Sequence, residues 1–273
     1  MNMSSAPQAG RAPSGATITG ETASSADQVK QTIYVWELPV RITHWVNVLS
    51  ILVLSLTGYY ISNPFFGTTG IATNQYLMGA IRFIHFAVAF VFTVSVLFRI
   101  YWAFVGNRYA RWTQLAPVGR GRRRALGKML GYYTFLRREP PAEIGHNPLA
   151  GVTYIGIYVL FALQIVTGFA LYSMPSSGGF WKFAFGWIIV LFGAPYVRLA
   201  HDLIMFLLIA FTIHHVYSAV LIDIEERSGL VSSIVTGYKT LTRRHIAEAE
   251  AEDAPGPRRP FWRRLRKGGR SDA

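Results

Sequence analysis

Four histidines in apolar segments are the residues of this chain whose type and spacing best fit metal chemistry: His44, His85, His201 and His215. His201 and His215 lie fourteen residues apart in one segment. At about 100° and about 1.5 Å per helical residue, this separation returns to within roughly 40° of the same face and spans roughly 21 Å. One helix therefore presents two imidazoles to the same side, near opposite edges of a hydrocarbon layer about 30 Å thick. The spacing predicts two haem irons stacked across a membrane.

The segments that must position these histidines are long and apolar enough to cross a membrane. Four spans are predicted, at residues 40–61, 79–104, 152–172 and 197–222. The expected fold class is therefore all-α and integral membrane, a four-transmembrane-helix bundle holding two b-type haems. A fifth apolar stretch, residues 180–195, is short for a span and contains two glycines, and we interpret it as interfacial or re-entrant.

Composition supports a membrane protein and restricts how the haem is held. The 273 residues are 51% hydrophobic and only 15% charged, yet the net charge is +13. An apolar body with basic connections favours an integral membrane protein over a nucleic-acid binder. Cysteine is absent, which excludes disulfides, cysteine-ligated iron–sulfur clusters and covalent haem attachment. Both haems must therefore be bound non-covalently, and any partner cluster must belong to another chain.

Basic residues are concentrated in the connection between the second and third spans and in the C-terminal tail. The positive-inside rule places both regions in the cytoplasm, and this requires an even number of spans between them. Both termini are then cytoplasmic. We expect three regions: a disordered leader at residues 1–33, rich in Ala, Ser, Gly and Thr; the transmembrane dihaem domain at 34–241; and a basic cytoplasmic tail at 242–273.

This orientation sorts the histidines into two depth-matched pairs. His44 begins the first span near the cytoplasm, and His85 begins the second span near the outer face. The fourth span enters from outside, so His201 is outer and His215 is inner. The predicted pairs of iron ligands are therefore His85 with His201 and His44 with His215, each giving a six-coordinate haem suited to electron transfer. His214 is the competitor for His215, but it would face about 140° away from His201.

Three of the four histidines have an arginine three positions before them in the sequence. These arginines are Arg41, Arg82 and Arg198. On a helix this places each guanidinium on the histidine's face, one turn nearer the aqueous edge. A guanidinium there can bind a haem propionate through two hydrogen bonds. Snorkelling at helix ends is the alternative, and it suffices for cytoplasmic Arg41. For Arg82 and Arg198, on the side where positive charge is disfavoured, we favour propionate binding.

A glycine adds a further candidate contact with the outer haem. Gly58 lies fourteen residues after His44, on nearly the same face but at the outer leaflet. Its missing side chain would let the outer haem lie flat against the first span. The repeated dipeptides Thr57-Gly58 and Thr167-Gly168, both near outer ends of spans, fit this interpretation. Plain helix packing by small residues is the alternative.

Two features of the cytoplasmic connection between the second and third spans are relevant to quinone binding. Residues 121–138 predict a basic amphipathic surface helix that could roof a quinone pocket, with contact to lipid headgroups as the alternative. Asn147 followed by Pro148 predicts the start of the third helix, since Asn caps and Pro fits the first turn. His146 beside them is a candidate proton donor to quinone.

Several motifs resemble those of a known family. They are Arg41-Ile-Thr-His44-Trp45 continuing through Leu54-Ser-Leu-Thr57-Gly58, Gly145-His146-Asn147-Pro148-Leu149, Val166-Thr-Gly-Phe169, the fourteen-residue histidine spacing, and Gly237-Tyr238-Lys239-Thr240. Over residues 34–241 the chain resembles the b-type cytochrome subunit of membrane-bound nickel–iron hydrogenases. Cytochrome subunits of formate dehydrogenase and thiosulfate reductase and the bacterial cytochromes b561 share this scaffold.

The resemblance implies a membrane anchor and electron-transfer subunit in the bacterial inner membrane. Hydrogenase small and large subunits would bind on the periplasmic face, and small-subunit iron–sulfur clusters would pass electrons through the two haems to quinone. The chain would perform no substrate chemistry of its own beyond quinone reduction, and its other partners would be membrane lipids, not nucleic acid. The alternatives are a cytochrome b subunit of another dehydrogenase, a free-standing b561-type quinol oxidoreductase, or a haem-free transporter or assembly factor.

Overall fold

The computed structural model describes residues 29–65, 76–138, 143–176 and 178–253 of the chain. In chain order its elements are β1 (Lys30–Tyr34), α1 (Leu38–Ser62), α2 (Leu77–Val105), α3 (Trp112–Leu115), α4 (Arg120–Tyr133), α5 (Pro148–Ser173), α6 (Gly179–Phe192), α7 (Ala194–Glu226), α8 (Leu230–Thr236), β2 (Tyr238–Thr242) and α9 (Arg243–Asp253). The chain is mainly helical, as predicted.

Four of these helices, α1, α2, α5 and α7, are long and apolar enough to cross a membrane. Each predicted span lies within one of them, and the prediction of four spanning helices is confirmed at the level of length and composition. Helix α6 covers the ambiguous fifth stretch and contains a π-helical segment at Lys182–Gly186. At about 1.5 Å per residue it is only about 21 Å long, too short to cross a layer of about 30 Å.

Polar side chains lie at the start of two of the long helices. Helix α1 starts after Glu37, whose carboxylate does not cap its own helix but accepts hydrogen bonds from Trp102 Nε1 at 2.9 Å and the Asn107 backbone amide at 2.8 Å. This contact ties the start of α1 to the end of α2. Helix α5 starts as predicted: the Asn147 side chain accepts a hydrogen bond from the Ala150 amide at 2.7 Å, and Pro148 occupies the first turn.

The long helices pack as two antiparallel pairs, α1 with α2 and α5 with α7. Contacts within each pair are far more extensive than contacts between the pairs. The pairs meet around a buried apolar core formed by Phe92, Val96, Ile157, Phe161, Ile204 and Leu208. Within it the rings of Phe92 and Phe161 contact edge to face, with centroids 5.1 Å apart. Along α7 this core lies between His201 and His215, so it separates the two histidine levels.

A small cap covers one end of the helical bundle and joins the segments before α1 and after α7. Strands β1 and β2 pair antiparallel, from Lys30 opposite Thr242 to Tyr34 opposite Tyr238. A second buried cluster lies beneath them, formed by Val35, Trp36, Val40, Ala110, Ile144, Leu241 and Ala249. Because β1 precedes α1 and β2 follows α7, the chain enters and leaves the bundle at the same end. An even number of spans requires this arrangement.

The structure corrects three predicted boundaries. Residues 30–33, assigned to the leader, form most of β1 because they pair with β2, and the leader up to residue 28 lies outside the described residues. The basic amphipathic helix ends at Tyr133 and not at Arg138, since Phe135 takes a φ of +60° and the chain turns back to the Gly131 carbonyl. Residues 243–253, assigned to the tail, form α9 and bury Ala249 in the cap.

Candidate haem-binding site

The inner histidine level consists of His44 on α1 and His215 on α7. Their ring centroids are 6.4 Å apart and their planes are inclined by 56°. A metal bonded to one nitrogen of each ring at about 2.0 Å, with about 1.1 Å from nitrogen to ring centre, would hold two centres about 6 Å apart. The structure therefore brings these two rings to the separation that a shared iron requires.

The surroundings of the inner level are aromatic and leave one ring nitrogen without a partner. His215 stacks on Phe211 at 5.5 Å and meets Tyr154 edge to face at 6.0 Å. The Nδ1 atom of His44 is buried and makes no hydrogen bond to any of the described residues. Buried polar atoms are almost always satisfied, so this atom fits a position beside a bound group. His214, the competing residue, is exposed and contacts Ser218.

The outer level consists of His85 on α2 and His201 on α7. A glycine on a neighbouring helix faces each ring. A Cβ atom at Gly58 would lie 3.2 Å from His85 Cε1, and one at Gly168 would lie 3.1 Å from His201 Cε1. Both distances are shorter than ordinary van der Waals contact, which begins at 3.4 Å. The two glycines therefore allow the histidine rings to lie directly against α1 and α5.

This geometry changes the interpretation of Gly58. The bare backbone of Gly58 is predicted to face the outer haem, but the group beside it is the ring of His85, with Met205 Sδ at 3.7 Å from the Cβ position. Helix α2 packs closely along α1 and delivers its histidine to that point. Any contact between Gly58 and a haem would have to be made beside this ring.

Three polar contacts at the outer level were missed by sequence reasoning. Thr57 Oγ1 lies 2.8 Å from His85 Nδ1, and Thr167 Oγ1 lies 2.9 Å from His201 Nδ1. The side-chain amide nitrogen of Gln164 lies 3.2 Å from His201 Nε2. The signals were present: Thr-Gly occurs in both helices, and Gln164 is an amide inside an apolar segment, where polar groups mark functional positions.

The three candidate propionate ligands have different environments. Arg41 donates a hydrogen bond to the Val235 carbonyl and so joins α1 to α8. Arg82 and Arg198 are exposed, and within the described residues their guanidinium groups make no hydrogen bond or ion pair. Arg41 is thus engaged by the protein itself, whereas Arg82 and Arg198 have free donors on the helices that carry His85 and His201.

A buried polar cluster lies below the inner level. The Arg122 side chain is 6% exposed and pairs with Glu143 at 2.9 Å. It also donates hydrogen bonds to the carbonyls of Gln114 and His146. Lys239 is buried and donates to the Ile144 carbonyl at 3.1 Å. These bonds hold the loop before α5 against α4 and β2.

His146, the candidate proton donor, lies inside this cluster. Its ring packs against Trp36 at 4.7 Å and Tyr154 at 5.1 Å, and Tyr154 also contacts His215. Burial, followed by the nearby charges of Arg99, Lys239 and Arg122, lowers the pKa of His146 to about 3. The side chain is therefore neutral at physiological pH and holds no proton beyond its ring N–H.

An apolar groove of about 340 Å³ runs between the start of α1 and α8. Its lining residues are Leu38, Arg41, Ile42, Trp45, Val46, Leu49, Ile234 and Val235. Trp45 contacts the ring of His44 edge to face, with centroids 5.4 Å apart. The groove thus lies on the exposed side of the helical bundle, and the side chain of Trp45 separates it from His44 of the inner histidine level.

Comparisons with known proteins identify what this arrangement resembles. The family model described as prokaryotic cytochrome b561 matches residues 35–237, which include the four candidate ligands His44, His85, His201 and His215. A probable Ni/Fe-hydrogenase B-type cytochrome subunit of Cupriavidus necator is 41% identical over 229 residues, covering 82% of this chain and 94% of the relative. One of Azotobacter chroococcum is 44% identical over 228 residues, covering 80% and 94%. A probable Ni/Fe-hydrogenase 1 B-type cytochrome subunit of Escherichia coli K12 is 41% identical over 213 residues, covering 76% and 90%.

Proposed function

The chain belongs to the prokaryotic cytochrome b561 family, and we propose that it is the membrane-anchoring cytochrome subunit of a nickel–iron hydrogenase. Family membership makes it a multi-pass membrane protein that carries haem b in electron transport. The hydrogenase assignment is supported by relatives that carry this name in several bacteria and match along at least nine-tenths of their length in the three comparisons above.

Two haems are proposed, one at each histidine level, and the observation that carries this is the facing pair of His44 and His215 rings, with centroids 6.4 Å apart. His44 and His215 would hold the inner haem, and His85 and His201, each seated against a glycine of a neighbouring helix, would hold the outer one. Held by two imidazoles each, the haems would supply reversible one-electron chemistry, which suits electron transfer and not oxygen or hydrogen chemistry.

The protein's part in this function is to position two redox centres and to insulate them. Along α7 the two histidines lie about 21 Å apart. The apolar core around Phe92 and Phe161 separates the two levels. Arg82 and Arg198 would bind the propionates of the outer haem, because their donors are free and one helical turn from its ligands.

We place the electron donor at the outer level and the acceptor at the inner level. Hydrogenase small and large subunits would sit on the periplasmic face, with both chain termini on the cytoplasmic side. Quinone would bind in the groove between α1 and α8, since an isoprenoid quinone is apolar and the groove opens toward lipid beside Trp45. This position is favoured over His146, whose ring is enclosed by Trp36 and Tyr154.

The experiment that tests the function uses membranes containing the full chain and its hydrogenase partner. With H2 as the only donor, the reduced-minus-oxidised spectrum should show sharp α and Soret bands of haem b. Reduction by dithionite but not by H2 would mean that another donor serves the chain, as in a free-standing quinol oxidoreductase. Absence of haem bands with either reductant would refute the cytochrome assignment itself.

The quinone position has a separate test. Replacing Ile42 with Trp fills the groove, whereas Leu52→Trp, on the same helix outside the groove lining, is the matched control. We expect Ile42→Trp to raise the KM for quinone while H2-dependent haem reduction stays normal. Unchanged quinone kinetics in a fully haem-loaded Ile42→Trp variant would rule this groove out.

A further inference from the structure

Two Thr-Gly dipeptides on different helices hold the outer histidines in the same way. Thr57-Gly58 of α1 faces His85, and Thr167-Gly168 of α5 faces His201. In each case the threonine hydroxyl contacts Nδ1, at 2.8 and 2.9 Å, and the glycine leaves room for Cε1. The repeated arrangement means that each ring is fixed by a neighbouring helix as well as by its own.

The hydroxyl protons determine the direction of these hydrogen bonds. Thr57 Oγ1 donates to the Val53 carbonyl at 2.7 Å, and Thr167 Oγ1 donates to the Leu163 carbonyl at 2.7 Å. A threonine hydroxyl has one proton and two lone pairs. Each oxygen lies nearer to the carbonyl than to the ring nitrogen, so we assign its proton to the carbonyl and a lone pair to the ring. With this assignment Nδ1 carries the hydrogen and Nε2 keeps its lone pair.

The contact of Gln164 agrees with this tautomer. Its side-chain amide nitrogen, a donor, lies 3.2 Å from His201 Nε2. With the amide in this orientation, in which Gln164 Oε1 is buried and has no partner among the described residues, Nε2 offers the lone pair. The lone pair is the group that an iron needs, so the threonine sets the ring in its metal-binding form before any ligand is bound.

We propose that Thr57 and Thr167 are positioning residues that fix the tautomer of His85 and His201 and lower the reduction potential of the outer haem. A hydrogen bond accepted from Nδ1–H makes an imidazole a stronger electron donor at Nε2, which stabilises the oxidised iron. This inference rests on the proposed function, in which these two histidines are the outer haem ligands.

The inner level has no equivalent hydrogen bonds. Within the described part of the chain, Nδ1 of His44 has no partner and no hydrogen bond is made by the His215 ring. The threonine hydroxyls therefore contact the histidines of the outer level only. Their removal should change the reduction potential of the outer haem and leave that of the inner haem as an internal reference.

The test compares hydroxyl removal with hydroxyl retention in the full-length, haem-loaded protein. Thr57→Val and Thr167→Val remove the acceptor at nearly constant volume, and Thr57→Ser and Thr167→Ser keep it. Thr93→Val is the matched control, because Thr93 makes the same backbone bond, to Ala89 at 2.7 Å, and contacts none of the four histidines through a hydrogen bond. Potentiometric titration at the α band measures both midpoint potentials.

We expect each Val variant to bind two haems, with the midpoint potential of one haem raised and that of the other unchanged. The Ser variants and Thr93→Val should match the wild type. If a Val variant instead loses the outer haem while its Ser counterpart retains it, the hydroxyl is still shown to position the ligand.

Three results would overturn the inference. The first is unaltered potentials in Val variants that retain both haems, and the second is an equal shift of both potentials. The third is equal haem loss in the Val and Ser variants, which would indicate packing by the threonine methyl and not hydrogen bonding. A wild-type protein without two haems would instead refute the proposed function.

Discussion

Replacing Gly168 with alanine should remove the outer haem without unfolding the helices. The new Cβ would lie 3.1 Å from His201 Cε1, about 0.3 Å inside the 3.4 Å at which ordinary contact begins. Metal sites tolerate errors of about 0.2 Å in their ligand distances. Because Thr167 also holds this ring at 2.9 Å, the imidazole cannot retreat freely without losing that bond. The displacement therefore exceeds what an iron–imidazole bond accepts.

The same substitution elsewhere in α5 supplies the control. Alanine in place of glycine in a helix interior contributes about 0.5–1 kcal/mol to stability through backbone entropy. A Cβ at Gly156 would meet nothing within 4 Å, so Gly156→Ala should keep both haems and slightly raise the melting temperature. At Gly58 the Cβ would lie 3.2 Å from His85 Cε1, so Gly58→Ala should weaken haem binding less than Gly168→Ala does.

The assay is haem content per chain by pyridine haemochrome, with thermal unfolding measured in the same detergent. We expect about half the wild-type haem in Gly168→Ala, the full amount in Gly156→Ala and an intermediate amount in Gly58→Ala. Full haem and an unaltered spectrum in Gly168→Ala would refute the reasoning. So would equal haem loss in Gly156→Ala, because that position contacts no histidine.

Three further predictions concern the ligands and the cytoplasmic cap. Alanine at either member of a histidine pair should remove the same haem, seen as loss of one step in a redox titration; loss of different haems would break the pairing. Arg122→Ala should destabilise the fold by about 3 kcal/mol in denaturant unfolding, because it removes the ion pair with Glu143 and the hydrogen bonds to the carbonyls of Gln114 and His146; a loss below about 1 kcal/mol would contradict this. Burial lowers the pKa of His146 from its ordinary 6.5 to about 3. Between pH 3 and pH 6.5 the unfolded chain therefore binds more protons than the folded chain, and stability falls as the pH drops through this range. His146→Gln should flatten that fall in melting temperature, and an unchanged acid slope would count against it.

The spans and the proximity of His215 to His44 could be predicted because both follow from constraints that act locally along the chain. Lipid requires long apolar helices, so hydropathy alone placed residues 40–61, 79–104, 152–172 and 197–222 within single helices. Helical periodicity then placed His201 and His215 on one face, and His215 indeed lies beside His44 in the structure. The ligand roles of these residues remain predictions.

The features that could not be predicted depend on how separate elements rotate against each other. The hydrogen bond between Thr57 and His85 requires a particular rotation of α1 on α2, which the sequence of either helix does not reveal. Strands β1 and β2 pair although about 200 residues separate them in the sequence, and five-residue strands carry too little pattern to predict so distant a partner. The burial of Arg122 was hidden because it stands in a run of basic residues that otherwise face solvent.

The central claim is that four histidines clamp two haem irons at different depths of one bundle. Its most direct test is the haem b content of the purified wild-type chain, combined with electron paramagnetic resonance of the oxidised form. We predict two haems per chain, both low-spin and six-coordinate with two nitrogen ligands. A single haem, or a high-spin iron with an open coordination position, would contradict the account.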